Sequence, residues 1–168
     1  MITLTEYRST LKIPLKKTTL CFLVKKDKVL LGMKKIGFGK GRWNGFGGKV
    51  KIGENEFESA LRELEEESGV RGVKYKHYAL LHFYFPLVDP KEMWNQQVFV
   101  YLIDKWQGSP KESNEMIPKW FDLNSLPFDK MWPDDVHWVP KVLSNEFVEA
   151  HFMFGKNDSL LDFELETK

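Results

Sequence analysis

Residues 48–70 read GKVKIGENEFESALRELEEESGV. A glycine-bearing loop leads into Asn55, and Glu58 three residues on completes a capping-box-like helix start. Phe57, Ala60, Leu61 and Leu64 then recur at helical spacing and give one apolar stripe. Gly69 supplies a C-terminal stop. The pattern predicts a helix over about residues 55–68, in a stretch with seven glutamates from Glu54 to Glu67 and one arginine, Arg62.

Glu63, Glu66 and Glu67 stand at i, i+3 and i+4, so at about 100° per residue they share one arc beside the apolar stripe. That places the carboxylates in the groove where the helix meets its sheet. Arg62 can pair with Glu66 four residues on, whereas Glu63 and Glu67 have no basic partner at helical spacing. A like-charge pair at this distance costs about 0.2–0.5 kcal/mol. A hard divalent cation removes that penalty, and oxygen ligands are what magnesium takes. On these residues alone a solvated acidic face is the other reading.

The wider spacing narrows the choice. Gly48, five residues, Glu54, seven residues, then Arg62-Glu63-Leu64-x-Glu66-Glu67-x-Gly69-Val70 resembles the signature box of the Nudix hydrolase family at nine positions over 23 residues. The resemblance implies an α+β fold, an α/β/α sandwich with a mixed central sheet and two main helices. It implies hydrolysis of a nucleoside diphosphate linked to a further group, with Mg2+ as cofactor and Mn2+ as a substitute. Glu66 and Glu67 look like metal ligands, and Glu63 looks like a ligand or the general base. The carbonyl of Gly47 and the carboxylate of Glu115 resemble further ligands used in the family. Gly48, Glu54, Arg62 and Gly69 look structural, with Arg62 orienting a box carboxylate such as Glu54. For Glu115 an exposed loop glutamate is the plain alternative, and for Lys34, which resembles the lysine facing the phosphates, a solvated surface lysine.

Composition bounds the rest. The chain has 168 residues, enough for one domain with a substantial core, and a net charge of +1 that gives no case for binding a nucleic-acid polymer or a membrane. A single cysteine, Cys21, lies in the apolar run Leu20–Val24 and reads as a buried thiol in a reducing compartment. No apolar run approaches the ~18 residues of a membrane span, and the N-terminus lacks a signal-peptide core. The expectation is a cytoplasmic protein acting on a small nucleotide, with no feature that demands more than a monomer.

Along the chain, residues 1–17 read as an N-terminal extension, a short tail or an extra strand, ahead of a catalytic domain over 18–168. Strands are expected at Thr18–Val24, Val29–Leu31, Val73–Phe85 and Gln97–Trp106, with a shorter extended piece over Glu115–Asp122. Lys34–Asn44 is a glycine-containing loop. Leu87–Asn95 is polar and turn-rich, and Leu123–Pro127 resembles one helical turn. A second helix is expected from Asp134/Asp135 to about Ser144, with Pro140 as a point of strain. Phe147–Phe154 and Leu160–Leu165 form a C-terminal hairpin.

Two further stretches bear on the substrate. Gly32–Val50 and Met131-Trp132-Pro133-Asp134-Asp135-x-x-Trp138 resemble the family members that hydrolyse oxidised purine nucleoside triphosphates. The similarity covers roughly 18–166, and Leu87–Gln97 departs from it by carrying extra residues. It implies that Asn44, Asp134 and Asp135 read the purine edge. Trp132, Phe38, Phe83 and Trp138 stack on or enclose the base, and Thr19 and Lys34 also contact the nucleotide. A close aspartate pair couples its titrations, so one member holds a proton and donates while the other accepts. Without the flanking tryptophans, the pair reads as an ordinary helix cap. Two rivals remain. One is a Nudix enzyme for another substrate such as ADP-ribose, on the strength of Pro86, 16 residues beyond Val70. The other is a nucleotide-sensing domain without turnover, which the full set of box glutamates argues against.

Overall fold

The computed structural model describes all residues from Met1 to Lys168. Eight strands form one mixed sheet: β1 Lys16–Lys25, β2 Lys28–Lys34, β3 Trp43–Asn44, β4 Arg71–Tyr84, β5 Gln96–Gln107, β6 Met116–Asp122, β7 Val148–Phe154 and β8 Leu160–Thr167. The spatial order is β3-β2-β1-β5-β4-β7-β8, with β6 also paired to β2. β1 runs parallel to β5 and β4 parallel to β7, while the other pairings are antiparallel.

Successive strand residues point to opposite faces, and both faces are apolar because both are covered. Phe22, Val29, Leu31, Leu81, Val100 and Phe152 pack under α3 (Asp135–Leu143) with its Trp138, Val139 and Val142. Their neighbours Cys21, Leu23, Leu30 and Ile103 face the other way, under Ala60 and Leu64 of α2 (Glu56–Ser68). The result is the expected α/β/α sandwich. Asn55 caps α2 in a full capping box with Glu58, and Gly69 ends it at φ +73, a left-handed angle that glycine adopts without a Cβ penalty.

Three local readings change. Residues 1–15 supply a helix, α1 (Leu4–Thr10), rather than an extra strand. Thr3 and Glu6 form its capping box, and Leu4 and Tyr7 pack against Tyr84 and Met153. The helical turn expected at Leu123–Pro127 falls at Phe128–Lys130. Pro140 does not end α3: it and Val136, whose carbonyl loses a partner, both lie on the solvent side. No helix is long and apolar enough to cross a membrane.

β1 and β2 pair only between Leu23–Lys25 and Lys28–Leu30. Beyond that point they part, and residues 43–50 fill the gap. Trp43 and Asn44 pair with β2, after which the chain crosses to β1 through Phe46–Cys21, Gly48–Thr19 and Val50–Lys17 hydrogen bonds. This crossing sets half-buried Gly47 and Gly48 against Thr19, with half-buried Asn44 at its start.

Candidate active site

The crossing segment opens a cleft of about 710 Å3. At one end is Glu67, buried in the last turn of α2. Its Oε1 accepts from the Gly47 N–H at 3.1 Å, while Oε2 is buried with no partner. Burial, with the charges of Glu63 and Glu115, raises its carboxyl to about 8 against the pull of Lys34 and the Gly47 N–H. Gly47 is required here, because an added Cβ would sit 1.7 Å from the Thr19 carbonyl oxygen. A Cβ on Gly48 would lie 2.5 Å from the Glu63 carboxyl, so two glycines let the helix carboxylates close on the crossing strand.

Arg62 organises the outer carboxylates. Its guanidinium takes Glu54 in a fork, at 3.0 Å from Nε and 2.7 Å from Nη2, and those bonds hold Glu54 down to about 2. The same group donates to Glu63 at 2.9 Å, to Glu66 at 3.2 Å and to the Lys49 carbonyl at 3.1 Å. Glu63 therefore has a basic partner, contrary to the expectation from helical spacing. The reason is reach: a long arginine folding back toward Glu54 passes its own neighbour. Of the four expected carboxylate ligands only Glu67 lines the cleft, and no three acidic or histidine side chains stand close enough to form a preformed cage. Arg62 draws Glu63 and Glu66 aside, and Glu115 is held toward Lys34, at 3.8 Å.

At the other end Asp134 and Asp135 are both buried. Neither carboxylate caps α3. Asp134 Oδ2 accepts from the Trp138 indole N–H at 2.8 Å, and Asp135 Oδ2 accepts from the Trp132 N–H at 3.1 Å. Asp134 Oδ1 is left buried and unpartnered. Burial drives both carboxyls up and each is coupled to the other, so the pair favours holding a shared proton. Asn44 lines the same cleft with its Oδ1 bonded to the Gly45 N–H at 2.8 Å, which leaves its NH2 group as the free donor. Trp138 is not a stacking surface. It is buried in the core against Phe22, and only its indole N–H serves the site. Phe38 and Trp132 stack on each other at 5.0 Å, and Phe83 also lines the wall.

Four buried polar side-chain atoms lack a partner in the whole chain: Thr19 Oγ1, Arg42 Nη1, Glu67 Oε2 and Asp134 Oδ1. All four belong to residues of this one cleft. Orphaned buried polar atoms are rare in folded proteins, and their concentration in one cavity marks a site shaped for a polar ligand.

The chain matches the NUDIX domain over residues 14–142. It is a member of the Nudix family. It is 44% identical to the oxidized purine nucleoside triphosphate hydrolase of Mus musculus over 147 residues, covering 88% of this chain and 92% of that one. The enzyme of the same name from Danio rerio is 40% identical, with the same two shares covered. A crystal structure of a mutator MutT protein from Bacillus halodurans superposes with a TM-score of 0.76 at 24% identity, over 90% of this chain and 98% of that one, which is a likeness of fold.

Nudix hydrolases as a group use divalent metal ions. The residues present here fit one: Glu67 Oε2 is buried without a partner, the Gly47 carbonyl accepts no hydrogen bond within the protein, and Glu63 and Glu115 act on Glu67 through their charge. The Nudix cleft also contains residues that sequence reading did not single out, notably Arg42, Phe85, Glu92, Trp94, Gln96 and Asp158. Arg42 stands two residues before Asn44 within Gly32–Val50, a stretch that already pointed to the substrate. Trp94 and Gln96 lie in a stretch without period, so nothing local pointed to them.

Proposed function

We propose that this chain hydrolyses oxidised purine (deoxy)nucleoside triphosphates, of the 8-oxo-dGTP and 2-hydroxy-dATP type, to the monophosphate and pyrophosphate with Mg2+. The observation that carries the reading is the single cleft with a buried aspartate pair and Asn44 at one end and the buried, half-satisfied Glu67 at the other. The two named relatives at 44% and 40% identity support the substrate class.

Water attacks a phosphorus, its proton passes to a box glutamate, and the P–O bond to the pyrophosphate leaving group breaks. Glu63, Glu66, Glu67, the Gly47 carbonyl and Glu115 would hold the cation, which neutralises phosphoryl charge and makes water a better nucleophile. Lys34 lines the cleft within charge range of Glu67 and faces the phosphates. One carboxyl of the Asp134/Asp135 pair donates its proton to the base edge while the other accepts, and a shift of that proton lets one pocket serve both oxidised guanine and hydroxylated adenine. Asn44 adds a donor, and Thr19 a hydroxyl. The buried free thiol of Cys21 suits a cytoplasmic, reducing setting.

The ADP-ribose reading loses its support. Pro86 occupies the second position of the turn closed by Val88 N–H to the Phe85 carbonyl at 3.1 Å, where proline is favoured, and it does not line the cleft. The deciding experiment offers 8-oxo-dGTP, 2-hydroxy-dATP, dGTP and ADP-ribose with Mg2+ and identifies the products. Monophosphate and pyrophosphate from the two oxidised substrates are expected. Preferential turnover of ADP-ribose overturns the proposal. Asn44→Ala and Asp134→Ala are expected to raise KM for the oxidised purines more than for dGTP. An equal loss on all substrates removes the base-reading role.

A further inference from the structure

Three of the four unpartnered buried atoms belong to residues already assigned to the nucleotide or the cation. The fourth is Arg42 Nη1. A buried guanidinium N–H without an acceptor is costly, and the rest of this side chain is anchored so that it cannot turn to another partner. Nη2 donates to Asp158 Oδ2 at 3.1 Å, and the guanidinium carbon lies 4.1 Å from the centroid of the Trp132 ring. The backbone is pinned as well, with Arg42 N–H bonded to the Gly39 carbonyl at 3.1 Å and its carbonyl to the Lys34 N–H at 3.0 Å. Asp158 is itself specially placed. It follows Asn157 in the turn between β7 and β8, and the two residues have φ of +57° and +54°. Asn and Asp tolerate the left-handed region better than other side chains, and such turns persist where the surroundings hold them.

We infer that Arg42 Nη1 donates a hydrogen bond to an acceptor atom on the purine of the bound nucleotide, with Asp158 and Trp132 holding the guanidinium in place for it. The inference rests on the nucleotide reading above and deepens it. Position assigns the bond to the base rather than the phosphates. Arg42 packs on Trp132 and its charge acts on Asp134 and Asp135, whereas Lys34 and Glu67 mark the opposite end. The chemistry is complementary. The aspartate pair changes which of its oxygens donates, while arginine donates at every working pH. A base with no acceptor at that point leaves a buried charge-bearing N–H unpaired, which is how a polar pocket rejects a near-analogue.

The test follows tryptophan fluorescence, with Trp94 and Trp132 in the cleft as reporters, during titration with 8-oxo-dGMP and separately with magnesium pyrophosphate. Arg42→Lys keeps the charge and loses the fork, and is expected to weaken 8-oxo-dGMP about tenfold or more while changing pyrophosphate affinity less than about twofold. Asp158→Asn keeps an acceptor for Nη2 and is expected to weaken 8-oxo-dGMP less than about threefold. In turnover, Arg42→Lys is expected to raise KM with kcat little changed. Unchanged 8-oxo-dGMP binding in Arg42→Lys overturns the inference. Equal losses in the two variants overturn it as well, since the pair is then only a tether for the loop, and so does a joint loss of both ligands. Failure of the unaltered protein to bind 8-oxo-dGMP sinks the substrate reading itself.

Discussion

Burial, reinforced by Glu63 and Glu115, places the Glu67 carboxyl at about 8 in the metal-free protein, so folding favours its neutral form. The sign follows from linkage: this stabilisation is fully present below the ordinary carboxylate value of 4.5 and is lost as pH rises through about 8. Metal-free protein is therefore expected to lose melting temperature across that window, and Glu67→Gln, which mimics the neutral carboxyl, to lose less. Thermal scans at several pH values with a chelator present measure the difference. The same variant is expected to lose turnover by more than the ~10–100-fold typical of an outer-shell partner of a metal site. A rate like that of the unaltered protein would take Glu67 out of the chemistry. Gly47→Ala is expected to be worse for folding than for chemistry alone. Its Cβ would meet the Thr19 backbone at 1.7 Å, and overpacking of this kind costs about 1–3 kcal/mol, read as a lower urea midpoint.

The box helix α2 works as a unit with the loop before it because Arg62 ties Glu54 and the Lys49 carbonyl in that loop to Glu63 and Glu66 on the helix. Lysine at position 62 retains the charge but cannot reproduce the fork. Arg62→Lys is expected to lower kcat about tenfold and to raise the Mg2+ concentration needed for half-maximal rate, as a loosened supporting shell does. An unchanged Mg2+ dependence would make Arg62 a purely structural staple. Most of this helix was legible in advance: its cap, its stop, its apolar stripe and its carboxylates all follow from neighbours within four positions. The Arg62–Glu63 pair was not, since adjacent helical residues do not share a face and only the length of arginine brings them together. Helix α1 had a readable start in Thr3 and Glu6, yet it is short, and a seven-residue helix exists through what it packs on.

Across the whole molecule, α1 supports the far wall of the cleft. Asn95 is buried behind Trp94; its side chain donates to the Tyr7 hydroxyl at 3.1 Å and accepts from the Phe85 N–H at 2.8 Å, and its carbonyl accepts from the Lys16 N–H at 3.0 Å. Tyr7→Phe leaves the Asn95 amide without an acceptor and is expected to destabilise the fold by about 1–3 kcal/mol. Because Phe85, Trp94 and Gln96 all line the cleft around this residue, the variant is also expected to raise KM for the nucleotide with kcat nearly unchanged. Steady-state kinetics beside a denaturant titration separates the two effects, and a fall in stability with no change in KM would leave α1 as packing alone.

By itself the sequence determined α2, the apolar runs that become the strands of a sheet covered on both faces, and the spacing of the box carboxylates. Those depend on capping, periodicity and helical geometry, which act between near neighbours. Resemblance pointed to Thr19, Asn44, Glu67 and Asp134, but only the tertiary structure decided how they meet and that Arg42 joins them, because their meeting requires β1 to part from β2, residues 43–50 to cross the gap and α3 to close over the far face. It also decided their chemistry. Whether a carboxylate is charged, and whether a buried donor lacks a partner, depends on burial by residues distant in the chain, and no local stretch carries that information.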